Sequence, residues 1–410
     1  MKRILLITSV LPWPLRRNGG AQRTALVKRA LQKWGEVDIL AIGGPELRES
    51  GSAFDQQLGE HQVLDCIIRE PHPPAPPWYL PGPIGRLWRT IRQYEQNYEP
   101  DPAIATQLAT RLKARSYDLI VSRYLQPALQ AGVAAQTSIP KLLDFDDIDW
   151  STFQANLAAK PWKGTSGRIA SAQVLSRIKR SCDRAMPLFQ RVFVTSDEDR
   201  AMLCSPATVL PNIPFSDRAD AGIDPLPPAT DSQELLFVGD LQFPPNRDGL
   251  DRFLTRVWPV VRGQMPAARL RIIGRGLTPE RAQRWKAIDG TDVIGFADDL
   301  VDCYRRCAFT VVPIYSGGGT KIKILESLAF ARTVVTTDHA MRGYGELSEP
   351  TPSVAVTVTD DDFAQACIRL LQTPFLRDAM ATTGRRIVTE RFSFGRFSSV
   401  IDEAVAEVLK

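Results

Sequence analysis

A chain of 410 residues is too long for one ordinary domain, and 44% hydrophobic with 24% charged residues is a composition that can fill more than one core. A net charge of +5, from 51 Lys+Arg against 46 Asp+Glu, suits an anionic small ligand or an acidic membrane face; nucleic-acid partners, which call for a dense basic stripe, are not expected. Three histidines rule against a multi-histidine metal site, and six scattered cysteines, with Cys303 and Cys307 four apart on a predicted helix, read as reduced thiols.

The opening "RILLITSVLPWPL" carries prolines and no small-residue cleavage site, so it reads as a first strand rather than a signal peptide. No run reaches the roughly 18 to 20 apolar residues of a membrane span. The expected location is the cytoplasm. Strand candidates follow in the order "RILLITS" (3–9), "VDILAI" (37–42), "DLIVSR" (118–123), "KLLDF" (141–145) and "RVFVTS" (191–196). They are continuous apolar runs, as strands buried on both faces should be.

The segment "FSDRADAGIDPLPPATDS" (215–232) is polar and proline-rich, a linker signal. The alternation then restarts with "LLFVG" (235–239), "LRIIG" (270–274), "DVIGF" (292–296), "FTVVPI" (309–314), "TVVTT" (333–337) and "VAVTV" (354–358). Strands alternating with helical patterns predict parallel sheets covered by helices, hence two doubly wound α/β domains. We place an N-terminal domain at 1–213, a linker at 214–233, a second domain at 234–390 and an amphipathic closing helix at 391–410. In such sheets ligands sit beyond the carboxyl ends of strands, and two facing domains would make a cleft there.

"YSGGGTKIKILES" (315–327) follows a predicted strand. Gly317, Gly318 and Gly319 let backbone N–H groups approach a ligand, and a helix predicted from Thr320 adds free N–H groups and its positive dipole end. With Lys321 and Lys323 this makes an anion site suited to phosphate. It is neither a Walker loop nor the dinucleotide fingerprint. Glu326 shares a helical face with Ile322, Lys323, Ala329 and Phe330, a largely apolar face that would turn its carboxylate inward. There it would accept two adjacent ribose hydroxyls. A surface Lys323–Glu326 ion pair beside a glycine-rich turn fits the same residues.

"RRNGGAQR" (16–23) follows the first strand, so Gly19 and Gly20 would bring backbone to the same phosphates, with Arg23 assisting; a plain loop ahead of a helix is the alternative. "LLDFDDIDW" (142–150) crowds Asp144, Asp146, Asp147 and Asp149, whose repulsion calls for capping, pairing or raised pKa. A divalent-metal site competes here, and helix capping accounts for Asp149. "EPHPPAPPWYLPGP" (70–83) is a proline-stiffened loop whose Trp78, Tyr79 and Leu80 either meet a membrane interface or pack on their own domain.

Taken together, "LLFVGDLQFPPNRDGLDRFL" (235–254), "LRIIGRG" (270–276), "VIGFADDLVDCYRRCAFTVVPIYSGGGTKIKILESLAFARTVVTTD" (293–338), "RGY" (342–344) and "VLPN" (209–212) resemble the donor domain of family 4 glycosyltransferases (glycosyltransferase group 1). The closest likeness is to a bacterial exopolysaccharide and surface-glycan subgroup. The resemblance implies the GT-B fold of two facing Rossmann-like domains. It also implies retaining transfer from a nucleotide-diphosphate sugar, with no bound cofactor and no metal. The acceptor would be a glycan or a lipid-linked molecule, with peripheral contact at the inner membrane face.

Glu326 matches the second member of the family's glutamate pair, which holds the ribose. The first member falls at Gly318 and is missing. The Arg and Lys that relatives carry after the first donor-domain strand are also missing, leaving Arg247, with Arg275, Lys321 and Lys323 to compensate. The family's base contact falls at Gly295 and Phe296, although Phe296 also fits a core position, and "IGFADDL" (294–300) places Asp298 as a helix cap. Asp146 stands where relatives often have histidine, and would orient the sugar or take the acceptor's proton. Lys321 would support the leaving group. A sugar-nucleotide epimerase and a non-catalytic nucleotide-sugar-binding protein stay open as rivals.

Overall fold

The computed structural model describes residues 1–12, 19–43, 64–68, 83–214, 223–297, 300–348 and 352–410. The chain divides into two compact units, Met1–Pro211 with Phe397–Lys410, and Asn212–Arg396. The part of the proline-rich loop that carries Trp78, Tyr79 and Leu80 lies outside the described residues, as do linker residues 215–222 and Asp298. No helix among the described residues is long and apolar enough to cross a membrane.

The first unit is built on seven parallel strands: β1 (Lys2–Thr8), β2 (Gly35–Gly43), β3 (Leu64–Ile68), β4 (Leu119–Arg123), β5 (Lys141–Asp144), β6 (Arg191–Val194) and β7 (Thr208–Val209). Their order is β3-β2-β1-β4-β5-β6-β7. Ile4, Leu5, Leu6 and Ile7 are all fully buried, so both faces of β1 are covered and the run needs no polar alternation. Register is set by these apolar pairs: Ile4 stands opposite Val37 on one side and Leu119 on the other. The last helix, Phe394–Val408, lays Ile401 and Val405 into the first unit. Trp34 Nε1 donates to Asp402 Oδ1 at 2.8 Å and Lys33 Nζ to Ser398 Oγ at 2.6 Å, which pin that helix beside the start of β2.

The second unit holds six parallel strands: β8 (Glu234–Val238), β9 (Arg269–Ile273), β10 (Thr291–Gly295), β11 (Phe309–Val312), β12 (Val334–Thr337) and β13 (Val354–Thr357), ordered β10-β9-β8-β11-β12-β13. Leu235, Phe237, Phe253, Trp258 and Leu270 fill its core. In each unit the winding direction reverses beside the first strand, between β1 and β4 and between β8 and β11. Loops leaving the carboxyl ends of those strands diverge and leave room for a ligand.

Every predicted strand is present, but most stop one or two residues early. Phe145, Gly239, Gly274, Phe296, Pro313 and Ile314 leave the ladder and begin the loops that carry the site. β3 and β7 were not predicted. β7 is two residues long, too short for any periodicity, and both lie at sheet edges.

Candidate functional site

The loop between β11 and the helix Ile322–Ala329 sits at the switch point of the second unit. Gly317 and Gly319 have φ of 96° and 66°, the left-handed region that glycine enters without strain. Gly317 is also too crowded for a side chain: a Cβ there would lie 2.8 Å from Pro245 Cγ. Its carbonyl oxygen is 3.0 Å from His339 Nε2. Burial and the nearby Lys321 and Arg342 cations lower the His339 pKa, despite its bond to Gly317, which favours the charged ring.

Lys321 takes a different place from the one expected. Its side chain is buried and its ammonium donates back to the carbonyls of Gly318 (2.6 Å) and Gly319 (2.7 Å). It therefore braces the glycine loop from within. Thr320 Oγ1 accepts from Asn212 Nδ2 at 2.8 Å, anchoring the same loop at its far end. The helix begins at Ile322 rather than Thr320, and no side chain caps it. Its first N–H groups thus lie at the switch point without a capping side chain in front of them.

The helix buries Ile324, Leu325, Leu328 and Ala329, with Phe330 buried just after it, so the expected face is buried only at its Ala329–Phe330 end. Ile322, Lys323 and Glu326 lie together on the neighbouring half-buried face. Glu326 accepts a hydrogen bond from Tyr304, a fully buried residue stacked on Phe330 at 4.4 Å. Burial and then the facing carboxylate raise the Tyr304 pKa well above its ordinary value, so the phenol stays a donor. The Tyr304 hydroxyl thus orients the Glu326 carboxylate.

Lys323 reaches back across the end of β8. Its Nζ donates to Asn246 Oδ1 at 2.7 Å and lies 5.0 Å from the centre of the Phe237 ring. Asn246 is fixed in turn by donating to the Asp240 carbonyl at 2.8 Å. Arg275, after β9, pairs with Asp240 at 3.1 Å, and Arg247 pairs with the adjacent Asp248 at 2.9 Å. At the end of β10, Gly295 has φ of 83° and Phe296 is 55% exposed, so Phe296 is not a core residue. Gly239, Asn246, Asn212 and Tyr304 had not been singled out. Only Gly239 carried a signal, a glycine placed directly after an apolar strand.

In the first unit, Gly19 and Gly20 are not in a loop but form the first two residues of the helix Gly19–Leu31. Arg23 does not point to a ligand. It is fully buried and binds Asp144 through Nη2 (2.7 Å) and Nε (2.9 Å), with Nη2 also donating to the Leu210 carbonyl. Arg123, the last residue of β4, binds Asp144 at 2.8 Å and Asp146 at 3.0 Å. Burial opposes the charge on Asp144, but the two guanidiniums outweigh it and hold its pKa below the usual value.

Asp146, expected to act on the acceptor, is buried in this cluster and faces Arg123 and, at 3.6 Å, Arg23. The positive charge that a divalent metal would bring to Asp144 and Asp146 is already supplied by these arginines. Two arginines against two aspartates balance, which is what allows four charges to be buried together. Tyr124, with φ of 69°, lays its ring under the Arg123 guanidinium at 4.5 Å. Asp149 is the first residue of the helix Asp149–Ala159 and does not cap it.

This arrangement defines a class. Two doubly wound parallel-sheet units of this kind have the GT-B architecture. Residues 232–373 match the family model "Glycosyl transferases group 1", so this stretch of the second unit is a group 1 glycosyl transferase domain.

Solved structures of similar fold include the sucrose-phosphate synthase of Thermosynechococcus elongatus (TM-score 0.70, 16% identity, 100% of this chain and 99% of that one). Another is Anabaena HepE in complex with UDP-glucose (TM-score 0.62, 13% identity, 98% and 99%). Over 118 residues the chain is 29% identical to an uncharacterized 44.6 kDa protein in the cps region of Klebsiella pneumoniae; the match spans 27% of this chain and 30% of that relative.

Proposed function

We propose that the protein transfers a sugar from a nucleotide-diphosphate donor to a glycan or lipid-linked acceptor, with retention and without a bound metal. The observation that carries this is the convergence, at one switch point, of an uncapped helix start, a lysine-braced glycine loop and a carboxylate fixed by a buried tyrosine. The loop and helix start would take the diphosphate. The Glu326 carboxylate would accept the ribose hydroxyls, one to two turns along the helix. The exposed Phe296 offers a face for the base. Stabilising charge on the departing diphosphate is the chemistry these groups supply, because developing negative charge there lowers the barrier to breaking the sugar–phosphate bond.

The UDP-glucose bound in the HepE structure makes a uridine diphosphate sugar the first donor to test. The relative from a cps region and the likeness to surface-glycan enzymes support an acceptor of that kind. Incubation with UDP-sugars and a bacterial lipid-linked glycan fraction should release UDP only when both substrates are present. Release of UDP-sugar epimers without an acceptor would instead support an epimerase. Tight binding of UDP-sugars with no turnover on any acceptor fraction would support a binding protein.

A further inference from the structure

The cations nearest the switch point are mostly engaged: Lys321 with the carbonyls of Gly318 and Gly319, Arg275 with Asp240, Arg247 with Asp248. Lys323 differs. It springs from the second residue of the helix Ile322–Ala329 and brings its ammonium to the end of β8, against the Asn246 amide and the Phe237 ring. No carboxylate among the described residues forms an ion pair with it. Gly239 leaves the space: a Cβ there would lie 2.7 Å from Lys323 Nζ.

We propose that Lys323 is the cation that meets the donor diphosphate, and that nucleotide binding draws a proton from solvent onto its amine. The proposal rests on the donor-site reading above. Three charged groups face Lys323: Lys321 from the preceding loop, Glu326 one turn along the helix, and Asp240 from the loop after β8. Burial first, then Lys321, push its pKa down to about 7, and Glu326 and Asp240 only partly oppose them. A diphosphate placed beside it restores the favourable field for the charged form. The step is a simple protonation: the neutral amine gains one N–H bond, the buffer loses one proton, and no other bond changes.

The test is calorimetric titration of the full chain with UDP, GDP and inorganic pyrophosphate, in two buffers of different ionisation enthalpy. At pH 8 the terminal phosphate of the nucleotide is already ionised, so uptake reports on the protein. The expected result is uptake of about one proton per nucleotide at pH 8 and little at pH 6, with affinity weakening about tenfold from pH 7 to 8.5.

Lys323→Met, checked for an unchanged melting profile, should bind about 10- to 100-fold more weakly and lose the uptake. Lys323→Arg should bind without uptake and with pH-independent affinity, because its guanidinium stays charged. Tight UDP binding with no uptake, or Lys323→Met binding as wild type does, overturns the proposal and leaves the donor site standing. Failure of all three probes to bind removes the donor site, and the proposal with it.

Discussion

The Lys323 ammonium lies 2.7 Å from the point where a side-chain carbon on Gly239 would begin. The glycine after β8 and the lysine at the start of a helix some 80 residues later share one small volume at the switch point. Neither position has meaning without the other. Gly239→Ala should therefore push the ammonium off its place and weaken UDP binding about tenfold, with little change in melting temperature. Titration beside a thermal melt checks both halves of this expectation.

Phe296 stands 55% exposed beyond β10, so removing its ring uncovers no core. Phe296→Ala should leave stability within about 0.5 kcal/mol. If the ring stacks on the base, the variant should bind UDP about tenfold more weakly and pyrophosphate as wild type does. Equal losses for both ligands would place the base elsewhere.

The Arg23–Asp144–Arg123–Asp146 cluster is a structural prediction. Arg123→Ala leaves two buried carboxylates facing a single guanidinium. Breaking a buried pair in this way costs about 3–5 kcal/mol, which lowers the melting temperature of the first unit by about 10 °C. The pH dependence follows from the lowered Asp144 pKa. A carboxyl whose folded pKa lies below its unfolded value of about 3.9 stabilises the fold above that pH and loses the effect as pH falls further. Wild type should lose stability steeply below about pH 4, and Asp144→Asn should lack that part of the slope. Melting curves from pH 2.5 to 7 decide it.

Asp149 has the opposite sign. Burial raises its pKa to about 7; hydrogen bonds from Tyr98 and Gln126 only partly counter this, and Asp147 adds to it. One carboxyl oxygen, Oδ2, is buried without a hydrogen-bond partner. A carboxyl that holds its proton in the fold and loses it in the unfolded chain makes stability fall as pH rises from about 4 through 7. Asp149→Asn should flatten that window and raise the melting temperature at pH 8 by a few degrees. A variant less stable than wild type at pH 8 would contradict the assignment.

Much of the fold was readable because buried parallel strands are continuous apolar runs. "RILLITS" and "FTVVPI" need no partner to be recognised. The edge strand β7 was not readable, since a two-residue strand has no period, and the five-residue edge strand β3, "LDCII", is broken by Asp65. At the site, the glycine loop and Glu326 were legible because chemistry-bearing residues followed a strand directly. What sequence spacing does not reveal is which partner a charge finds. Lys321 looked like a phosphate ligand and braces its own loop. Arg23 looked like a helper and neutralises Asp144. The contact between Lys323 and Asn246 joins positions 77 apart, which only the folded chain brings together. The buried face of the Ile322–Ala329 helix was legible only in part: Ala329 and Phe330 are buried as expected, but Ile324, Leu325 and Leu328 also pack inward and Ile322, Lys323 and Glu326 are half-buried.

The central claim is that the Glu326 carboxylate, oriented by Tyr304, holds the ribose of a nucleotide donor. Titration of UDP and UDP-glucose into wild type and Glu326→Ala tests it most directly. Losing a charged acceptor from two hydroxyls should weaken both ligands by about 100-fold, while weakening inorganic pyrophosphate far less. Unchanged nucleotide affinity in the variant would contradict the account.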